Sequence, residues 1–200
     1  MRAGKRRAAL AAGAFCAALA PFAGPGAAAQ DATARLAGAA LAGPATSLES
    51  YLTQPGRLLV ERTHALAPIA LEGGSRLRLE AVVAFEPARE EERVLGVRAR
   101  LDGAGEGRLA YLDLHEVEDL ARSLAALPLV AEQERGAGAA VEIRYTTRDG
   151  FGIAAAAGAA APARVLRFAG SAPVAIRLSE AALGELRIQL DACRRYLFEQ

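Results

Sequence analysis

The chain reads as an α+β protein made of two ββββα units, antiparallel sheets each packed by one helix and sharing a core. Three observations predict this. Apolar residues alternate in steps of two over several short stretches between 57 and 178, as half-buried strands require. Each set of stretches ends in a segment whose apolar residues recur every third or fourth position, the period of a helix packed on one side. Strand-to-helix junctions also recur, at Leu114-His115-Glu116 and Leu178-Ser179-Glu180, dividing the chain into repeats over 57–134 and 139–198.

Ahead of these units, residues 1–29 have the three parts of a secretory signal. Arg2, Lys5, Arg6 and Arg7 form a positive start, and Ala8 to Phe22 form a short apolar stretch. Ala27-Ala28-Ala29 then offers small residues for cleavage. The expected location is therefore periplasmic or secreted, and no later segment is apolar enough to span a membrane. Cys16 follows Phe15, which argues against a lipoprotein anchor, and Ala9 weakens a twin-arginine reading of Arg6-Arg7. Residues 30–56, rich in Ala and Gly, read as a tether with a short helix near Ser47–Leu52.

The first strand is expected over Arg57–His64. Leu77, Leu79, Ala81 and Val83 then alternate with Arg76, Arg78 and Glu80, and Leu95, Val97, Ala99 and Leu101 alternate with Arg98 and Arg100. Glu86 to Glu92 reads as a charged hairpin loop. Keeping both apolar sets on one face requires paired positions with an even sum, which places Glu80 opposite Arg98 or Arg100. A loop at Gly103–Gly107 leads to a strand over Arg108–Leu114. Val117, Leu120, Leu124 and Leu127 follow at helical spacing, with Asp113 as N-cap and Glu116 as its capping-box partner. Pro128 is expected to kink or end this helix, and Gly136–Gly138 to mark the boundary between units.

In the second unit Val141, Ile143 and Tyr145 alternate, Asp149-Gly150 turns the chain, and Phe151 and Ile153 return. Val165–Phe168 and Val174–Leu178 read as further strands. Ser179 then caps a helix carrying Leu183, Leu186, Leu190, Cys193 and Leu197 on one stripe.

Composition narrows the function. Four of the 24 basic residues and none of the 23 acids fall in the signal, so the mature chain carries about −3. That balance disfavours a general nucleic-acid or anionic-membrane binder. Cleavage leaves Cys193 as the single cysteine, so an internal disulfide is excluded and packing alone must stabilise the fold. Its place on an apolar stripe marks it as an inert core thiol.

No catalytic constellation stands out. His115, beside Asp113, Glu116, Glu118 and Asp119, has the residue types of a general base or metal ligand, yet acids at a helix start also suit the positive end of its dipole. His64, His115 and Cys193 show no metal-ligand spacing, and Gly103-Ala104-Gly105-Glu106-Gly107 lacks the spacing of a phosphate loop. Neither a metal nor a cofactor is expected. The one site-like cluster is electrostatic: Arg76, Arg78, Arg98 and Arg100 share the outward sheet face, with Glu80 as their counter-charge. Arginines grouped this way suit a phosphate, an acidic glycan or an acidic partner; a plain solvated sheet face is the alternative.

Tyr145 to Ile153 (YTTRDGFGI), followed by Leu178-Ser179-Glu180 and the last helix, resembles uncharacterised exported bacterial proteins, and Tyr111 to Leu120 (YLDLHEVEDL) resembles their first-helix start. That resemblance spans most of 57–198 and implies no activity. The doubled ββββα plan is also similar to Whirly and purine-rich-element-binding proteins, which bind single-stranded nucleic acid, a likeness of fold only. This chain departs from them in having no tryptophan and few aromatic residues for base stacking. The expectation is an exported, non-catalytic binding or structural module, partnered by an anionic ligand or a protein. The alternatives are a hydrolase-like enzyme using His115 and a single-strand nucleic-acid or anion binder working through the arginine face.

Overall fold

The alternating stretches form two antiparallel sheets. The computed structural model describes residues 46–103, 107–135, 141–157, 163–169 and 173–200. The expected signal, the tether up to residue 45, the centre of the Gly103–Gly107 loop and the Gly136–Gly138 boundary lie outside these residues.

Helix α1 (Ser47–Leu52) comes first, then β1 (Val60–Ala65), β2 (Ile69–Ala70), a 3-10 turn at Glu72–Gly74, β3 (Arg76–Glu86), β4 (Arg89–Asp102) and β5 (Arg108–Asp113). The first sheet runs β1-β3-β4-β5, with the short β2 also pairing with β3. Helix α2 (Leu114–Arg135) leads to β6 (Val141–Thr146), β7 (Phe151–Ala157), β8 (Ala163–Phe168) and β9 (Val174–Arg177), which pair in sequence order. Helix α3 (Glu180–Phe198) closes the chain.

Register follows the parity the apolar pattern demands. Leu77 pairs with Leu101, Arg78 with Arg100 and Glu80 with Arg98. The hairpin between β3 and β4 is tighter than its charge suggests. Glu86 pairs with Arg89 across Pro87-Ala88, so Glu90, Glu91 and Glu92 belong to β4 and are exposed on it. Of the two outcomes expected at Pro128, a kink or an end, the end does not occur: helix α2 runs on to Arg135. A proline inside a helix costs about 3 kcal/mol. Leu127 and Ala131 are both buried, so the apolar stripe continues past Pro128 and its packing offsets that cost.

The inner faces of both sheets and the stripes of both helices form one core. Each sheet is packed by a helix, but the helices are exchanged between units. Helix α3 rests chiefly on β3 of the first sheet, while α2 packs chiefly on β6 and β7 of the second, and the two helices touch each other. Ser179 caps α3 by accepting from Ala182 N at 3.1 Å. Cys193 lies fully buried on the α3 stripe, where burial pushes its thiol up to about 12.

Helix α1, which composition places within the tether, is packed on the outer face of the first sheet. Leu48 is fully buried there against Val82 and Ala84, with Val94 and Tyr111 at the margin. Gly96 makes this seat possible: a Cβ on it would fall 2.9 Å from Leu48 Cδ2 and 2.3 Å from the Leu112 carbonyl oxygen.

Candidate functional site

Strand alternation sends Arg76, Arg78, Arg98 and Arg100 to the outer face of the first sheet, beyond the end that α1 covers. The residues opposite them decide their environment. Arg98 faces Glu80 and is bonded to it (3.1 Å) and to Glu61 of β1 (2.6 Å), with its guanidinium 5.7 Å above the Tyr111 ring. Burial opposes the Arg98 charge, but the bonds and charges of Glu61 and Glu80 outweigh it and hold its pKa above the ordinary value.

Arg78 and Arg100 are placed differently. They stand directly opposite each other, like charge against like charge, in the β3–β4 register. Both turn their Nε to Asp102, at 3.0 and 2.8 Å, and their side chains remain 50% and 62% exposed. Arg76, opposite Asp102, is exposed beside them, and half-exposed Leu109 faces Arg100 from β5. The four arginines therefore divide: Arg98 is engaged by two partly buried carboxylates, Glu61 and Glu80, whereas Arg76, Arg78 and Arg100 are more exposed to solvent.

A second polar cluster escapes sequence reasoning. The Asp113 carboxylate does not cap its own helix. It accepts from Ser47 N and Leu48 N at 3.0 Å each, capping α1, and from Arg148 Nη2 at 2.7 Å. Only the glutamate half of the expected capping box forms, with Asp113 N donating to Glu116 Oε2 at 3.0 Å. Glu116 Oε1 accepts from Arg148 N at 2.7 Å, and Tyr145 donates its hydroxyl to the Glu116 carbonyl. The Tyr145 phenol is pushed up to about 12, first by burial and then by Asp119 and Glu116. Next door, Asp149 accepts from Tyr111 N at 2.7 Å. These bonds join α1, the β5–α2 junction and the β6–β7 turn. Nothing local in the sequence marks a carboxylate that caps a helix 65 residues upstream.

This clasp also sets the surroundings of His115. His115 is exposed, with Nε2 2.9 Å from Arg148 Nη2. A guanidinium can only donate, so Nε2 is the acceptor in this contact. Of the nearby acids, Asp113 and Glu116 are bonded to backbone amides and paired with Arg148, a structural use, and Asp119 is paired with Arg122. His64 lies at the far edge of the first sheet, stacked on Tyr196 with ring centroids 4.7 Å apart. Among the described residues, no group of three or more His, Cys, Asp or Glu side chains could hold a metal ion. No helix among them is long and apolar enough to cross a membrane.

No family model, curated protein or solved structure matches this chain.

Proposed function

We propose that this protein is an exported, non-catalytic binding module that takes an anionic polymer across the outer face of its first sheet. One observation carries the reading: Arg78 and Arg100 are paired directly across β3 and β4 with both side chains at least half exposed. Like charges placed opposite each other destabilise a sheet. A single carboxylate, Asp102, answers both at their Nε atoms, and half or more of each arginine side chain stays open to solvent.

The arrangement favours an extended ligand over a compact one. Arg76 and Arg78 lie two positions apart on β3, roughly 6.8 Å along the strand. Arg100 continues the row onto β4, so successive anionic groups of a chain find successive guanidinium forks. With a mature charge of about −3, long-range repulsion opposes such binding and the local patch must supply the attraction.

The test is retention on heparin and phosphocellulose at low salt, where exposed charges are least screened. The wild-type protein is expected to be retained and the Arg78→Gln/Arg100→Gln double variant to pass through. Equal retention of both would remove the reading. Retention of a single-stranded oligonucleotide that survives the double variant would replace it with a nucleic-acid role.

A further inference from the structure

One edge of the first sheet carries a stretch that is complementary to itself. Among the described residues β1 has one strand partner, β3, and its other edge is unpaired. The apolar pattern extends this strand back to Arg57, yet β1 begins at Val60.

The register supplies the reason. Val60 pairs with Phe85, so Leu58 would stand opposite Pro87. Leu66 N donates to Leu79 O in the same register, which makes the even positions of β1 the ones bonded to β3. Pro87 has no N–H to give Leu58, and the chain turns there into β4. Arg57, Leu58 and Leu59 therefore continue a strand whose partner has run out, and Leu58 is left 78% exposed. The odd positions, Glu61 and by continuation Arg57 and Leu59, turn their backbone N–H and C=O groups to the open edge.

Run antiparallel to itself, Arg57-Leu58-Leu59-Val60-Glu61 matches at every position. With a two-fold axis at Leu59, Leu58 of one copy faces Val60 of the other, and Arg57 of each faces Glu61 of the other. Leu59 meets its own counterpart as a hydrogen-bonded pair. Moving the axis to 58, 60, 61, 62 or 63 loses both opposite-charge pairs, and at 61 or 62 it sets like charges together. The charges already stand in order for the first arrangement. Arg57 is paired with Glu86 at 2.7 Å, and Glu61 with Arg98 at 2.6 Å. Two facing copies join these pairs into a row of alternating sign: Glu86, Arg57, Glu61, Arg98.

We propose that a second copy of this chain pairs with the first along 57–61, making one sheet continuous through two molecules. Outer-face residues meet outer-face residues, so the two-fold axis stands perpendicular to the sheet. The arginine rows of both copies then open to the same side, although the pairing does not depend on what that face binds. Five residues from each copy make a small contact, and the dimer is expected to be weak and exchanging.

Sedimentation equilibrium of the full chain over a rising concentration series tests it, and a monomer–dimer equilibrium is expected. Arg57→Glu and Glu61→Arg each set like charges against each other at both ends of the paired stretch. Either variant, with its fold checked by circular dichroism, is expected to raise the dimer Kd about tenfold. An equimolar mixture of the two variants is expected to dimerise again, because each then faces the opposite charge on its partner. A monomer at every concentration, a dimer that Arg57→Glu leaves as tight as before, or a mixture no more associated than its parts overturns the proposal.

Discussion

The two ββββα units solve the same problem with different materials. The first builds long strands from leucine and valine, and its outer face carries arginines that stand off the surface beside carboxylates on neighbouring strands. The second builds shorter strands, with alanine and glycine along the outer row of β7, and there an arginine lies down. Residue type is the same in both cases. What differs is the height of the neighbours: Glu80, Asp102 and Tyr111 meet the first set, while Gly152 and Ala154 leave the second a trough. An arginine count on a sheet face therefore predicts little until the side chains across the next strand are known.

The largest test of this comparison divides the units. Because each sheet is covered chiefly by the other unit's helix, a chain cut between 135 and 141 is expected to give two pieces that are each unfolded alone. Mixing them should restore the circular dichroism and a single unfolding transition. A first piece that folds unaided would show that α2 suffices for its own sheet.

Next in size is the clasp that only the first unit has. Asp113→Ala removes the acceptor for two α1 amides and leaves Arg148 without one of its two carboxylates, with an expected loss of about 3 kcal/mol in urea unfolding. Leu48→Ala empties the socket over Gly96, Val82 and Ala84 and is expected to cost about 2–3 kcal/mol. Both should raise amide exchange in α1 before any other helix. If α1 keeps its protection in both variants, another contact holds it.

The smallest effect concerns Asp149. Burial raises its pKa, and Glu49 and Glu116 add to the rise against the bond from Tyr111 N. A carboxyl raised on folding favours the native state while protonated, below its ordinary value of about 3.9, and that contribution is lost as pH climbs through the raised value. Asp149→Asn keeps an oxygen for Tyr111 N and carries no charge. It is expected to stabilise the protein slightly at neutral pH and to match the wild type in acid. A destabilised Asn variant at neutral pH would mean that the charge itself is needed there.

Much of the fold was legible. Period-two alternation is a local signal, and a one-residue slip would turn Leu77 and Leu79 outward, so the parity that sets Glu80 opposite Arg98 could be read without coordinates. The α3 stripe and its Ser179 cap were legible for the same reason, as was the short helix at Ser47–Leu52. Features that depend on distant partners were not. Asp113 has the look of a cap for the helix that follows it, and only the docking of α1 shows that its oxygens serve the helix that precedes it. Pro128 reads as a stop because the burial of Ala131 beyond it is a tertiary fact. Of the arginine cluster, membership of one face was readable, but not the division that removes Arg98. The reach of Arg167 across β7 toward Glu142 leaves a faint mark in the small residues of β7, which acquire meaning only once β6 and β8 are set on either side.

The exchange of helices bears on how this molecule comes into being. A ribosome delivers the first sheet long before the nineteen residues that become α3. Until those residues arrive, the greasy side of β3 has no roof, and a nascent chain must hold it uncovered or lend it to a chaperone. The first sheet thus depends on a helix made after the whole of the second, and a message that stops before α3 leaves β3 without its cover.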